Sequence, residues 1–152
     1  MANRTRTPCV GICSTTYGDD VCRGCKRFSF EVINWNAFKP EERESIWKRL
    51  EKLKSQIMAS RLIIFDSKKF EESIKHFQLK IKDDLNDLSK AFEVIKQVSE
   101  SFNNLDEFGI DMFEKNKSLT SIKEEIENEL YTLSKAHYEK YFIEPLDRNK
   151  SI

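Results

Sequence analysis

The sequence of 152 residues is poor in glycine and proline and contains no long hydrophobic run. It has four glycines and three prolines, and just one glycine and two prolines lie beyond residue 24. Multi-stranded β folds need turn residues at short intervals, so this scarcity argues against one. No window approaches 18 apolar residues, which excludes a transmembrane helix. The polar residues 1–7 lack the apolar core of a secretory signal, so we expect a cytoplasmic protein.

The chain also lacks a net charge, because 26 Lys and Arg balance 26 Asp and Glu. A uniformly basic nucleic-acid-binding protein is therefore not expected. Residues 1–60 carry 11 basic and 7 acidic side chains, a net +4, whereas residues 61–152 carry 15 and 19, a net −4. With 34% charged residues and 11 phenylalanines, the composition indicates amphipathic helices rather than disorder.

Apolar spacing predicts two helices after the first 25 residues. Ser29 is the predicted N-cap of a short helix, whose apolar face consists of Phe28, Val32 and Trp35. A second helix is predicted to start at Pro40, which suits the first helical position. Its apolar stripe follows steps of four, three and four and contains Ile46, Leu50, Leu53 and Ile57.

The remainder of the chain is predicted to be a helical, coiled-coil-like extension over residues 61–152. Residues 62–65 are uninterruptedly apolar, and periodicity does not decide between a connector, a helix end and a strand. Asp66 or Ser67 is then expected to cap one long helix, because apolar residues recur every three or four positions over 70–102. Residues 103–117 should interrupt it.

A last helix is predicted from a capping box of Ser121 and Glu124, with Pro145 as its stop. Its stripe contains Ile122, Ile126, Leu130, Leu133, His137 and Tyr141. Asp83–Asp84 and Glu124–Glu125 are interpreted as solvated helix faces. We expect the two long helices to form an antiparallel hairpin or bundle, within one chain or between two.

The four cysteines carry the clearest chemical signal. They lie within 17 residues, at Cys9, Cys13, Cys22 and Cys25. Two thiolates a few residues apart can bind one metal ion, and two such pairs supply a tetrahedral set of ligands. Each pair encloses a glycine, Gly11 or Gly24, which lets the backbone turn and direct N–H groups at sulfur. Residues 1–60 are therefore predicted to be a metal-binding domain with two helices.

The surroundings of the cysteines support this interpretation. The cations Arg23, Lys26 and Arg27 would offset thiolate charge, and the start of the nearby helix is expected to lower the pKa of Cys25. Arg27 is expected to hydrogen-bond the local backbone or a carboxylate such as Glu31, and Trp35 to pack over the metal loop. Four thiolates with no open position favour a structural zinc ion, with an iron–sulfur cluster as the alternative.

The cysteine region resembles a bacterial family, Domain of Unknown Function 1289, described as small predicted iron–sulfur proteins. The resemblance covers about residues 6–55. It rests on the following residues: Pro8-Cys9-Val10-Gly11-Ile12-Cys13, Cys22-Arg23-Gly24-Cys25-Lys26-Arg27, Glu31, Trp35 and Glu41-Glu42-Arg43. Val32 and Lys39 depart from the usual family residues at positions that affect packing and capping. The resemblance implies an iron–sulfur cluster as an alternative to zinc, and it implies nothing about the extension.

Three functions follow as hypotheses. The first is a non-enzymatic metal-binding protein whose metal shapes an N-terminal interaction module, while the helical hairpin mediates self-association or binding of a protein partner. The second is a redox or cluster-handling protein with an iron–sulfur cluster. The third is a nucleic-acid-associated zinc knuckle that uses a basic surface, made of Arg4, Arg6, Arg23, Lys26 and Arg27. No recognised catalytic motif is present, so no enzymatic activity is expected.

Overall fold

A computed structural model describes residues 7–10 and 13–143, without the side chains of 142 and 143. Arg4, Arg6, Gly11 and Pro145, to which the sequence assigns roles, lie outside the described residues. The described chain is mostly helical, with five α-helices and a two-stranded antiparallel sheet. This confirms the predicted fold class. None of the described helices is long and apolar enough to cross a lipid bilayer.

The described chain consists of two compact units. One contains the described residues up to Leu50 together with those from Asn128 onward, and the other runs from Glu51 to Glu127. The predicted domain boundary at residues 60–61 stays a prediction. The first unit differs from that domain because it includes the last part of the final helix, more than 70 residues away in sequence from Leu50.

The first unit contains two helices that follow the cysteine segment. Helix α1 covers Ser29–Ile33. Ser29 is its first residue rather than its N-cap, as Phe28 is the N-cap residue and the Glu31 side chain accepts the Phe28 N–H at 2.8 Å. The prediction of a Ser29 cap is wrong by one residue, because Ser29 is already helical and no side chain caps the helix at Phe28. Phe28 and Trp35 of the predicted apolar face are buried.

Helix α2 covers Pro40–Ala59 and begins at the predicted residue. Glu41 and Glu42 lie in its first turn, where carboxylates favour the positive end of the helix dipole. Glu42 also accepts the Lys39 N–H at 3.0 Å. The predicted stripe of Ile46, Leu50, Leu53 and Ile57 is buried throughout. These local signals, a proline start and four-residue spacing, therefore predict α2 correctly.

The second unit is built around a short sheet. Strand β1 covers Leu62–Ile64 and pairs antiparallel with strand β2, Ile110–Met112. The apolar tract at 62–65 is thus a strand, one of the three alternatives that the sequence left open. Its partner lies in the segment 103–117, which was predicted to be only an interruption. Gly109 precedes β2 with a left-handed φ of 67°, and a Cβ there would collide with the Asp66 backbone.

The predicted long helix over residues 67–102 is wrong, because two shorter helices occupy this region. Helix α3 covers Ser67–His76, and helix α4 covers Asp87–Val98. After α3, Gln78 adopts a left-handed φ of 54° and the Leu79 N–H donates to the Ile74 carbonyl at 3.0 Å. This is the Schellman arrangement that ends a helix. The apolar spacing continues through the loop, which is why periodicity did not reveal the break.

The final helix, α5, covers Leu119–Tyr138. Its cap is Ser118, whose hydroxyl accepts the Ser121 N–H at 3.1 Å. The predicted capping box is wrong, since Ser121 is already the third helical residue. Ile122, Ile126 and Leu130 are buried as the stripe predicts. Tyr141 lies beyond α5 in a π-helical turn, Glu139–Ile143, and is 60% exposed, so the buried stripe ends before it.

Charged side chains of the second unit form a network at the start of α5. Glu125 accepts hydrogen bonds from Lys117 at 2.7 Å and from Arg61 at 2.9 Å. These two cations hold the pKa of Glu125 below its usual range. Lys117 also pairs with Glu114 at 2.7 Å. Glu125 is therefore not simply solvated, which corrects the sequence interpretation, although exposed pairs of this kind contribute little to stability.

Candidate metal centre in the cysteine segment

Residues 20–29 form a tight turn, here called the cysteine hairpin, that carries Cys22 and Cys25. Val21 and Phe28 form an antiparallel bridge across it. Lys26 adopts a left-handed φ of 69°, which reverses the chain directly after Cys25. Three backbone bonds close the hairpin: Cys22 N–H to Arg27 O at 2.9 Å, Lys26 N–H to Cys22 O at 2.8 Å and Ser29 N–H to Asp20 O at 2.7 Å.

The sulfur of Cys22 lies among backbone N–H groups. Cys22 is 1% exposed. Burial raises its pKa, but hydrogen bonds from the backbone of Cys25, Ser14 and Gly24 and from the Cys25 side chain lower it further, so the pKa falls to about 7. N–H groups directed at sulfur stabilise a thiolate, the form that binds metal. The predicted contact of the Gly24 backbone with sulfur is confirmed.

Cys25 has the opposite protonation preference. It is 7% exposed, and this burial raises its pKa despite a hydrogen bond from Arg27 Nε to the sulfur at 3.2 Å. The prediction that the nearby helix start lowers the pKa of Cys25 is therefore wrong. Desolvation of the thiolate outweighs the favourable charges around it. In the metal-free protein Cys22 therefore loses its proton more readily than Cys25 does.

Two cations of the cysteine segment, Lys26 and Arg27, are buried and make contacts within the fold. Lys26 is 4% exposed, and its ammonium donates to the carbonyls of Arg23, at 2.5 Å, and Gly24, at 3.0 Å. Arg27 is 3% exposed, and its guanidinium lies 4.9 Å from the Trp35 ring centroid. These two side chains are therefore not available to nucleic-acid phosphates. Arg27 contacts the Cys25 sulfur and Trp35, whereas the predicted contact with Glu31 is not formed.

The first pair of cysteines, Cys9 and Cys13, is less buried than the pair in the hairpin. Cys13 is half-buried with its sulfur 2.9 Å from the Thr15 hydroxyl, and Cys9 is exposed. Ser14 links this part of the chain to the hairpin, since its hydroxyl accepts the Arg23 N–H at 2.8 Å and its backbone bonds Cys22. None of the four cysteines forms a disulfide.

The structure brings together half of the predicted ligand set. Cys22 and Cys25 are in side-chain contact and fit a metal through thiolate-stabilising N–H groups. Within residues 7–10 and 13–143, however, no group of three or more His, Cys, Asp or Glu side chains is positioned to hold a metal ion. The site of Cys9, Cys13, Cys22 and Cys25 therefore stays a prediction after the structure.

An ion pair between a buried carboxylate and a partly exposed arginine lies next to the hairpin. Glu31 is 4% exposed and accepts two hydrogen bonds from Arg49, at 2.6 and 2.7 Å. The Arg49 guanidinium also lies 4.1 Å from the Phe28 ring centroid. The sequence interpretation missed Arg49. A signal was present, because Arg49 lies three residues after Ile46 and four before Leu53, on the apolar stripe of α2, where a charge needs a partner.

Comparison with known proteins identifies a family over this region. Residues 7–54 match the family described as Protein of unknown function (DUF1289). This confirms the resemblance that the cysteine motifs indicate, and it covers about a third of the chain. No curated protein and no solved structure matches the chain.

Proposed function

We propose that the chain is a non-enzymatic metal-binding protein in which Cys9, Cys13, Cys22 and Cys25 hold one zinc ion. The observation that carries this proposal is the surroundings of Cys22. A buried sulfur that accepts several backbone N–H groups is suited to permanent thiolate ligation. Cys25 would bind as a thiolate once the metal compensates the cost of its burial.

Zinc is the metal that this donor set favours. Four thiolates fill a tetrahedral coordination shell and leave no position for a substrate, as in structural zinc sites. Binding would require Cys9 and Cys13 to join the hairpin pair, and Ser14 already connects the chain beside Cys13 to it. The bound metal would therefore order residues 9–25. A reducing compartment such as the cytoplasm would keep these thiols available.

We include protein association in the proposal. In the second unit, Ile63, Phe65 and Phe113 are 52%, 57% and 54% exposed. They lie on one side of the sheet by strand alternation, because Ile63 pairs with Asp111 and the Phe113 N–H bonds the Arg61 carbonyl at 2.9 Å. Contiguous exposed apolar side chains favour contact with another protein or a second copy of the chain.

Elemental analysis and a visible spectrum of protein purified without oxygen test the metal. We expect about one zinc per chain and no colour. Iron with sulfide and a brown colour would support the alternative, an iron–sulfur protein, and overturn the zinc assignment. A full-length protein that binds neither metal from anaerobic solution would contradict the proposal altogether.

Substitution of Cys22 tests whether the metal shapes this segment. Cys22→Ser should lose zinc and increase proteolysis within residues 9–28, while circular dichroism retains most of the helical signal, because the five α-helices begin after this segment. Tyr17→Ser is a matched control in the same segment, since Tyr17 is 90% exposed. Equal zinc content and equal proteolysis in the two variants would contradict a structural metal.

A further inference from the structure

The end of helix α5 contacts the cysteine hairpin at two places. The Arg23 guanidinium, at the tip of the hairpin between the two cysteines, lies 4.4 Å from the Tyr131 ring centroid. At the base of the hairpin, the Phe28 ring centroid lies 5.4 Å from that of Tyr138. The Tyr138 hydroxyl also bonds Asp20, where burial and this carboxylate raise the pKa of the tyrosine.

The two tyrosines that make these contacts lie on one face of α5. Tyr131 and Tyr138 are seven residues apart, so they lie on one helix face at a separation of about 10 Å. Arg23 lies in the turn at the tip of the hairpin and Asp20 at its base, so the two tyrosines contact opposite ends of the hairpin. Helix α5 therefore runs alongside the hairpin from its tip to its base.

The helix face between the two tyrosines is closely covered. Ser134 lies three residues after Tyr131 and four before Tyr138, so it belongs to the same face. It is 1% exposed, and its hydroxyl finds no hydrogen-bond partner among the described residues. The centre of this face is therefore shielded from solvent at Ser134.

We propose that residues 131–138 of α5 form a cover over the cysteine hairpin that limits the access of metals, chelators and oxidants to Cys22 and Cys25. The biological use of this cover rests on the proposed metal site, because it would set the rate of metal exchange there. The cover itself is a property of the contacts of Arg23, Phe28 and Asp20 with the two tyrosines. Local opening of α5 must then precede reaction at the buried thiols.

Thiol alkylation of the full-length, metal-free protein tests the cover. A Tyr131→Ala/Tyr138→Ala variant should react with iodoacetamide about tenfold faster or more at Cys22 and Cys25, as mapped by mass spectrometry, because opening becomes easier. Cys9 is exposed and serves as an internal control whose rate should not change. Tyr141→Ala is the matched helix-end control, since Tyr141 is 60% exposed.

A second variant removes the hairpin side of the contact with Tyr131. Arg23→Gln removes the cation over Tyr131 and leaves α5 intact, so it should give a smaller increase at the same two cysteines. Unchanged alkylation of Cys22 and Cys25 in both variants would overturn the proposal. An equal increase at Cys9 would also overturn it, because the whole segment would then have opened rather than a local cover.

The outcome is separable from that of the zinc proposal. Elemental analysis decides whether the chain binds metal, and alkylation of the metal-free protein decides whether α5 covers the thiols. If zinc binds, its transfer to a chelator should also be faster from the double tyrosine variant than from Tyr141→Ala. Equal transfer rates would contradict a cover that limits metal exchange.

Discussion

Glu31 accepts two hydrogen bonds from Arg49, at 2.6 and 2.7 Å, and thereby joins helix α1 to helix α2. The same carboxylate accepts the Phe28 N–H at the end of the cysteine hairpin. A bidentate pair fixes the orientation of the two side chains as well as the separation between them, and the third hydrogen bond attaches this pair to the hairpin. Glu31 thus orients the hairpin relative to the first part of α2.

Removal of one partner of this pair should destabilise the protein strongly. We expect Glu31→Gln to lower the free energy of unfolding by about 2 kcal/mol, because Arg49, whose side chain is 25% exposed, loses its charged hydrogen-bond acceptor. Arg49→Lys should cost less, since it keeps the charge but loses the fork geometry. Urea denaturation measures both changes.

The same substitution at an exposed glutamate is a matched control for this prediction. Glu100→Gln makes the same chemical change at an exposed position and should alter stability by no more than about 0.5 kcal/mol. If Glu31→Gln were as stable as Glu100→Gln, the pair would have no structural role in solution.

The thiol of Cys22 predicts a pH dependence of the metal-free protein. Burial raises its pKa, but hydrogen bonds from Cys25, Ser14 and Gly24 lower it to about 7, below the ordinary thiol value. A depressed folded-state pKa stabilises the fold above the unfolded-state pKa, and this contribution is lost as pH falls through the folded value. Stability relative to Cys22→Ser should therefore increase between about pH 7 and pH 9.

Two measurements check this dependence in the presence of a chelator. Thermal unfolding of wild type and Cys22→Ser across this range should diverge towards high pH. Thiolate absorbance in the ultraviolet should show one group titrating near pH 7 that Cys22→Ser lacks. Parallel unfolding curves, or the same titration in both proteins, would contradict the assigned thiolate.

Local signals in the sequence predict some of these elements well. Pro40 at the first position of α2 and the four-residue spacing of its stripe are properties of a single helix, and both are confirmed. The cysteine hairpin is similar only in part: the two-residue gap between Cys22 and Cys25 brings their side chains into contact, but the residue with a left-handed φ is Lys26 rather than Gly24. Partners within about four residues suffice for α2, whereas the hairpin also depends on partners up to nine residues apart.

Long-range relationships account for what the sequence interpretation missed. Glu31 and Arg49 are 18 residues apart, and the contacts of α5 with the hairpin join residues about a hundred positions apart. No spacing rule connects such positions, because the chain between them determines whether they meet. The pairing of β1 with β2 is of the same kind, since the sequence pattern predicts only an interruption over residues 103–117.

Gly109 and Gly18 form a matched pair for testing backbone requirements. Both have left-handed φ values, 67° and 96°. A Cβ at Gly18 would meet nothing within 4 Å, whereas one at Gly109 would collide with the Asp66 carbonyl oxygen. Gly18→Ala should therefore cost about 1 kcal/mol from backbone strain alone. Gly109→Ala should cost about 3 kcal/mol or more, since strain and overlap add.

Thermal unfolding of the two glycine variants distinguishes these contributions. The Gly109→Ala variant should have the lower melting temperature by several degrees. Equal melting temperatures would mean that Asp66 moves away at little cost. The close approach between β2 and the start of α3 would then not be a constraint on the fold.

The cap at Asn86 determines where α4 begins, and it explains why the long helix is divided. The Asn86 side chain accepts the Ser89 N–H at 2.8 Å and also bonds the Ser55 hydroxyl. Asn86→Ala should destabilise the protein by about 1 kcal/mol, because the first turn of α4 loses its acceptor. Asn116→Ala, at an exposed position, is the control and should change stability by less than about 0.5 kcal/mol.

Alanine also favours a helix more than asparagine does. If residues 77–86 merely interrupted a helix that the apolar pattern prefers, Asn86→Ala would therefore raise both the helical signal and the melting temperature, and the cap would be shown not to define the break.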